Sequence, residues 1–269
     1  MSFTEQFVIN MNQVVAYEAC MLLLIVGDDY FSYAVLDEDQ NICELKRIYF
    51  GNTTVQQMDA VVNAHSIFNN SFAEIITAFD FNVNTLLPAH LNTGDNTALM
   101  YLNNAGPKDH IINEIVAEWE LSNIYAVPYQ LLNWVVHHFP SSKFWHVQSI
   151  YLKAINTKSS EDLIYLDVKD KKFNLTVVKG GKLQLAQSYK YTSPEDVLFY
   201  LLKVCESFDL QQEKVQLYIC GLIDEGSALF KLLYDYFLNI FIKNATWKQG
   251  KEYPAHYFTL LNQLASCAS

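Results

Sequence analysis

The order of the predicted strands and helices repeats once along the chain, and this repeat constrains the fold more than any single motif does. The first half contains three β-rich runs separated by short polar breaks, at residues 19–26, 30–36 and 42–50. Apolar residues at helical spacing follow Thr53 and Thr54, which are suitable N-caps, and continue to Ile67. Residues 74–79 then form another predicted strand. The first half therefore predicts the order βββαβ.

The second half shows the same order. Residues 163–168, 173–178 and 182–191 predict a meander, and Gly180-Gly181 supplies the positive φ angles that a two-residue hairpin turn requires. Ser193 and Pro194 begin a predicted helix, with acidic residues in its first turn. A nearly continuous apolar strand at 215–220 and a helix at 226–240 follow. This half predicts the order βββαβα.

The region between the two repeats predicts strands at 110–117, 123–127 and 143–147 and helices at 129–139 and 149–155. The polar segment 156–162 is the best boundary in the chain. We therefore predict two α/β lobes, comprising residues 1–156 and 157–269. The many apolar residues, 51% of the chain, require a large packed core.

Acidic residues dominate the first half of the chain. Residues 1–142 contain three basic residues against sixteen acidic ones, while the whole chain of 269 residues has a net charge of −11. Arg47 is the only arginine. A nucleic-acid groove needs clustered positive charge, so the sequence argues against one. The acidity has two interpretations: it keeps the protein soluble, or it attracts a protein partner to the first lobe.

The five cysteines are widely spaced, and four of them lie within apolar runs. They predict buried thiols in a reducing cytoplasm rather than disulfides. No signal peptide opens the chain and no apolar run is long enough to cross a bilayer, so we expect a cytoplasmic protein without membrane insertion. The sequence gives no indication of the oligomeric state.

The arrangement of two βββαβα lobes resembles the actin-like ATPase superfamily, which holds a nucleotide in a cleft between its lobes. Residues 165–176 are similar to the family's second phosphate loop, with Asp167 at the position of the metal-associated Asp. Lys169 and Lys171 stand where the family has glycines. Residues 217–222 resemble the adenosine motif, in which Gly221 matches the first glycine and Leu222 replaces the second.

Two further positions enter this comparison. Gln148 matches, by its spacing before Asp167, the family's water-positioning residue. Residues 25–30 stand where the first phosphate loop belongs, but Asp28 and Asp29 would face phosphates with negative charge. The resemblance implies that Asp28 and Asp167 lie in equivalent hairpin turns facing the cleft. Together with residues 253–263, the chain looks most like a bacterial family of unknown function with a degenerate actin-like ATPase fold.

Two functions remain open. The first is a non-catalytic interaction or scaffold protein with a decayed nucleotide site and no cofactor. The alternative is an ATP-binding protein, slow ATPase or ATP-dependent phosphotransferase that uses magnesium and Asp167, Lys169, Gln148 and Gly221. Three of these residues also have a structural interpretation: Asp167 as a turn acid, Gln148 as a helix-start residue and Gly221 as a strand-ending glycine.

Metal chemistry has weaker support. The seven histidines never occur with Cys or carboxylates at ligand spacing, so no metal site is predicted. The carboxylates Asp28, Asp80 and Asp167 suggest a two-metal nuclease, but the acidic, arginine-poor composition disfavours it.

Overall fold

Two units make up the chain. The computed structural model describes residues 3–10, 16–155, 160–247 and 252–267. Met1–Ile150, Trp247–Lys251 and Leu261–Ser269 form the first unit, and Tyr151–Thr246 and Glu252–Leu260 form the second. After its first passage at residues 150–151, the chain passes between the two units three more times near its C-terminus. The predicted boundary segment begins with residues 156–159, which lie outside the described residues.

The first unit contains a six-stranded mixed sheet in the order β1-β4-β3-β2-β5-β9. Its strands are β1 Thr4–Asn10, β2 Met21–Gly27, β3 Tyr30–Leu36, β4 Ile42–Tyr49, β5 Glu74–Asp80 and β9 Lys143–His146. The first four pair antiparallel, while β2, β5 and β9 pair parallel. Three longer helices accompany the sheet: α1 Val55–Ala64, α3 Tyr129–His138 and α4 Val147–Ala154, the last of which leads into the second unit.

A small antiparallel sheet is inserted into the first unit after β5. Its order is β6-β8-β7, formed by β6 Asn84–Pro88, β7 Asp109–Val116 and β8 Leu121–Pro128. The short helix α2 Thr97–Leu102 packs on it through the buried Met100. The insertion ends where β8 leads directly into α3.

The second unit contains a five-stranded sheet in the order β12-β11-β10-β13-β14. Its elements are β10 Leu163–Val168, β11 Lys172–Lys179, β12 Lys182–Lys190, α5 Pro194–Ser207, β13 Gln216–Gly221, α6 Ala228–Tyr234 and β14 Ile240–Ile242. The C-terminal helix α7 spans Thr259–Ala265. Apart from the extra β1, the two sheets have the same strand order. If the strands are counted along the chain from β2 in the first unit and from β10 in the second, both sheets have the order third, second, first, fourth, fifth. The repeat predicted from the sequence is therefore a repeat of topology.

Each unit has its own core, and the predicted local signals operate as expected. The central strands β2 and β10 are almost wholly buried, as expected for strands covered on both faces. Thr54 caps α1, and Ser193 forms a capping box with Asp196 at α5. Gly180 and Gly181, with φ of 55° and 73°, form the predicted hairpin turn.

The predicted helix at 226–240 is wrong in its second half. The helix α6 ends at Tyr234, and residues 240–242 form the strand β14 instead. Continuing the helix would discard the pairing of β14 with β13, including the bond from Leu217 N to the Asn239 carbonyl at 2.9 Å. The additional elements β1, β6 and α2 were not predicted either.

Candidate functional site: the Asp167 cluster

The strongest sequence candidate lies where two parallel strands of the second unit end. Asp167 on β10 pairs with Cys220 on β13, and Val168 pairs with Gly221. The carboxyl ends of parallel strands in open α/β sheets commonly form ligand sites. The structure therefore brings together three of the sequence-predicted residues, Asp167, Lys169 and Gly221.

The chain's own side chains surround the Asp167 carboxylate, which is only 3% exposed. Tyr151 donates its hydroxyl hydrogen to Oδ2, and the Cys220 thiol donates to Oδ1 at 3.5 Å. The ammonium of Lys169 lies 3.6 Å from Oδ2. Asn174 Nδ2 donates to the Tyr151 hydroxyl at 3.3 Å. We call these five residues the Asp167 cluster.

Lys169 turns inward although it opens a hairpin loop. Its residue exposure is 6%, and its Nζ lies 6.0 Å from the centre of the Tyr151 ring. The backbone carbonyl of Lys169 accepts a hydrogen bond from the Tyr191 hydroxyl at 2.7 Å. A buried ammonium beside a buried carboxylate is the arrangement that makes either charge tolerable away from water.

Cys220 keeps its proton in this environment. Burial, followed by the neighbouring Asp167 carboxylate, raises the pKa of the Cys220 thiol well above its usual value. The thiol therefore acts as a hydrogen-bond donor rather than as a nucleophile.

Gly221 is required by the backbone at this position. Its φ is +84°, and an added Cβ would lie 2.2 Å from the Val168 carbonyl oxygen and 2.4 Å from Asp167 Oδ1. The next residue, Leu222, donates its N–H to the same Val168 carbonyl at 2.7 Å. Only glycine fits this close approach of the two strand ends.

The two first hairpins correspond, but their acidic residues do not. Each hairpin has a four-residue loop, which connects the paired residues Val26 and Phe31 in the first unit and Val168 and Phe173 in the second. In this register Asp28 corresponds to Asp170, not to Asp167. The expected equivalence of Asp28 and Asp167 is wrong by three residues, because Asp28 is an exposed loop residue and Asp167 a buried strand residue.

A different carboxylate is buried at the strand ends of the first unit. Asp80 ends β5 and accepts a hydrogen bond from the Tyr30 hydroxyl at 2.6 Å. The Arg47 guanidinium lies 3.7 Å from the centre of the Tyr30 ring. The one arginine of the chain is therefore used within this unit.

Gln148 lies in the first unit, as the second residue of α4, and is 1% exposed. Its backbone N–H donates to His146 Nδ1 at 3.1 Å, and His146 Nε2 contacts the Phe81 carbonyl at 2.9 Å. This pattern requires the neutral His146 tautomer that carries its proton on Nε2. Gln148 is thus part of a buried hydrogen-bonded segment of the first unit.

Sequence reasoning did not identify Tyr151 or Cys220 as partners of Asp167. Cys220 could have been found, because it directly precedes the candidate site residue Gly221 in the sequence. Tyr151 carries no such signal, since it lies on α4. Among the described residues, no group of three His, Cys, Asp or Glu side chains is placed to hold a metal ion.

Strand order, the repeated units and the position of the Asp167 cluster define a protein with an actin-like ATPase fold. A Bacteroides thetaiotaomicron protein of unknown function with this fold superposes with a TM-score of 0.79 at 17% identity, over 94% of this chain and 99% of the other. The PilM-PilN type IV pilus biogenesis complex gives 0.60 at 12% identity, over 93% and 98%. The ethanolamine utilization protein EutJ from Carboxydothermus hydrogenoformans gives 0.51 at 8% identity, over 97% and 92%.

The chain belongs to DUF3822, a protein family of unknown function, whose model matches residues 10–240. No curated protein sequence matches the chain. No helix in the described ranges is both long and apolar enough to cross a membrane.

Proposed function

We propose that this chain is a non-catalytic interaction protein in which the protein's own salt bridge has replaced the nucleotide site of the actin-like ATPase fold. The observation that carries this proposal is the contact of Lys169 with Asp167 at 3.6 Å, with side chains 7% and 5% exposed. The resemblance assigns Asp167 to a metal-bound nucleotide. In this chain an ammonium already neutralises the carboxylate, and no cofactor is needed to do so.

The loop around the cluster supports the same proposal. Phosphate loops rely on glycines that let backbone N–H groups approach the anion closely. Here Lys169 N–H is bonded to the Lys172 carbonyl at 2.9 Å, so this donor is directed into the hairpin itself. In the first unit Asp28 and Asp29 occupy the corresponding loop and would repel phosphate.

Calorimetry with ATP and magnesium tests the proposal. We expect no binding to the full chain below about 1 mM nucleotide, a range in which many enzymes already bind their substrates. Asp167→Asn and Asp170→Asn serve as a matched pair, because Asp170 is an exposed carboxylate three residues further on, in the loop that follows β10. Micromolar binding that is lost in Asp167→Asn but kept in Asp170→Asn would contradict the proposal and establish the ATP-binding alternative.

The ATP-binding alternative has one observation of its own. The loop 169–172 contains Lys169, Lys171 and Lys172, and Lys171 is exposed. Phosphate groups could use this positive charge without the missing glycines. In that case Lys171→Gln would weaken ATP binding in the calorimetry, and ATP hydrolysis would be measurable as phosphate release.

We further propose that the functional partner is a protein that engages the acidic first unit. One structural neighbour, PilM, forms a complex with PilN, which supports a protein partner for this fold. Glu38 and Asp39 are exposed between β3 and β4, whereas Glu114 is buried and accepts from His146 N at 2.8 Å. Glu114 therefore contributes no charge to an acidic surface of this unit.

Charge variants test this interface. Glu38→Gln with Asp39→Asn should reduce partner recovery from the native cytoplasm, since electrostatic attraction raises the rate of encounter. Glu225→Gln with Asp235→Asn removes the same charge from exposed positions of the second unit and is the control. Recovery that is equal in both variants and insensitive to salt would reject the proposed surface.

A cytoplasmic location is consistent with five buried, unoxidised cysteines.

A further inference from the structure

The sheet of the second unit ends in the short strand β14, Ile240–Ile242. This strand is the last of the five and pairs with β13 on one side only. Proline, bulges and covering segments are common ways to keep an edge strand from pairing with another chain. Residues 238–243 contain neither proline nor glycine, and no strand of the described residues pairs with the outer edge of β14.

The pairing with β13 fixes which backbone groups of β14 point outward. Lys243 N–H donates to the Ile219 carbonyl at 2.8 Å, so the backbone of Lys243 faces β13. Backbone directions alternate along a strand, and residues 239 and 241 therefore face β13 as well. The N–H and C=O groups of Ile240 and Ile242 point to the outer edge of the sheet.

One face of this sheet carries a row of aromatic rings that ends at β14. Tyr165, Tyr218 and Phe241 are neighbours in register on β10, β13 and β14. The ring centres of Tyr165 and Tyr218 are 6.3 Å apart, and those of Tyr218 and Phe241 are 5.3 Å apart. Tyr165 is buried, whereas Phe241 is exposed. The row therefore ends in an exposed ring at the edge of the sheet.

Large exposed hydrophobic residues are concentrated beside this edge. Tyr234, Tyr236, Leu238 and Phe241 lie within eight positions of the sequence and are each at least 44% exposed. Single exposed hydrophobic residues are normal, but a contiguous group is typical of a protein–protein interaction site. The exposed surface of β14 and of the segment before it is therefore a candidate interface.

The edge is complementary to itself in one antiparallel register. In this register Ile240 lies opposite Ile242 of a second copy, and the two residues exchange both of their outward backbone hydrogen bonds. By symmetry this gives four backbone hydrogen bonds. Phe241 lies opposite Phe241 of the second copy on the two-fold axis, as a non-hydrogen-bonded pair, in which side chains are closest. The row of aromatic rings then continues across the interface.

Charge also favours a second copy as the occupant of this edge. In the same register Lys243 lies opposite Asn239 of the second copy. Asn239 Nδ2 donates to the Glu213 carbonyl at 2.9 Å, which places the exposed Glu213 beside that position. Lys243 is exposed as well, and the two-fold axis brings Lys243 and Glu213 together twice. Opposite charges therefore meet at both ends of the pairing.

We propose that two copies of this chain form a symmetric dimer through antiparallel pairing of β14, which joins their five-stranded sheets into one sheet. This dimer does not depend on the partner surface proposed for the first unit. A pairing three residues long makes a smaller interface than the standard total of about 1,200–2,000 Å². We therefore expect a weak dimer, with a dissociation constant of about 10–100 µM.

Cross-linking of introduced cysteines tests the register. Phe241→Cys places two thiols across the axis, where Cα atoms are about 4.5 Å apart and a disulfide fits. Leu238→Cys is the control, because its two copies lie about 20 Å apart in this register. With glutathione disulfide as the oxidant and about 100 µM protein, a covalent dimer should form in Phe241→Cys only. The wild type should not cross-link, because its five cysteines are buried. Equal cross-linking of both variants, or none in either, would overturn the proposal.

Sedimentation equilibrium of the full chain at about 1–300 µM measures the affinity. Lys243→Glu should weaken the dimer about fivefold, because the symmetry turns two attractive contacts into repulsive ones. Adding Glu213→Lys should restore the affinity to within about twofold of the wild type.

A matched control makes the same charge change at the other edge of the sheet. Lys190→Glu lies on β12 and should leave the affinity within about twofold, like most surface changes away from an interface. A wild-type chain that stays monomeric at about 300 µM would overturn the proposal. Equal weakening by Lys243→Glu and Lys190→Glu, or no recovery in the double variant, would overturn it as well.

Discussion

Replacing Lys169 by methionine removes one charge of the buried pair and keeps most of the volume of the side chain. The ammonium lies 3.6 Å from Asp167 Oδ2. At this separation, Coulomb's law with an effective dielectric constant of about 20 gives an attraction of about 5 kcal/mol. Removing one partner of a buried pair typically costs about 3–5 kcal/mol, because the other charge stays buried without compensation. We therefore expect Lys169→Met to lower the free energy of unfolding by about 3–5 kcal/mol.

Urea unfolding measures this loss. With a slope of about 2 kcal/mol per molar, the midpoint should fall by about 2 M. Circular dichroism is the appropriate signal, because all four tryptophans lie in the first unit and Lys169 lies in the second.

The double variant Asp167→Asn with Lys169→Met provides the control. It removes both charges and keeps an oxygen that can accept the Tyr151 hydroxyl, so its stability should return to within about 1–2 kcal/mol of the wild-type value. A Lys169→Met midpoint that differs from the wild type by less than about 0.3 M, instead of by the expected shift of about 2 M, would refute the argument that Lys169 compensates the buried Asp167 carboxylate.

Three further changes test local features. Gly221→Ala should lower the free energy of unfolding by about 3 kcal/mol or more, because the new Cβ would lie only 2.2 Å from a carbonyl oxygen. Gly180→Ala is the control: this glycine has a φ of +55° but lies in open space, so its replacement should cost about 1–2 kcal/mol. Equal urea midpoints for the two variants would contradict this prediction. Thr53→Val should stabilise the protein by about 1 kcal/mol, measured by thermal unfolding, since the buried Oγ1 of Thr53 has no hydrogen-bond partner in the described ranges. Thr77→Val should destabilise it, because the Thr77 hydroxyl is hydrogen-bonded to a serine hydroxyl at 2.7 Å. A loss of stability in both variants would contradict this prediction. Burial raises the pKa of the Cys43 thiol to about 11, so its alkylation by iodoacetamide, followed by peptide mass spectrometry, should accelerate about tenfold per pH unit from pH 8 to pH 10; a rate that levels off above pH 9 would reject the raised pKa.

Local sequence signals predicted most of the repeated elements. The runs around β2 and β10 are almost entirely apolar, which is typical of strands buried on both faces, and Gly180-Gly181 defines the turn between β11 and β12. Ser193 and Pro194 begin a helix by interactions within a few residues of themselves. Such features depend on short-range geometry, so they can be identified without knowing the fold.

Tertiary structure decided what long-range contacts control. The segment around β14 has apolar residues that suit a helix, but its pairing with β13 holds it extended. Asp167 was identified from its motif, yet its contacts with Tyr151 and Cys220 join residues 16 and 53 positions away. The sequence by itself determined the repeated βββαβ order and the position of the glycine and carboxylate at the strand ends. Only the folded chain determined that Lys169 turns inward, because whether a lysine reaches solvent or a buried carboxylate depends on which side chains the sheet places around it.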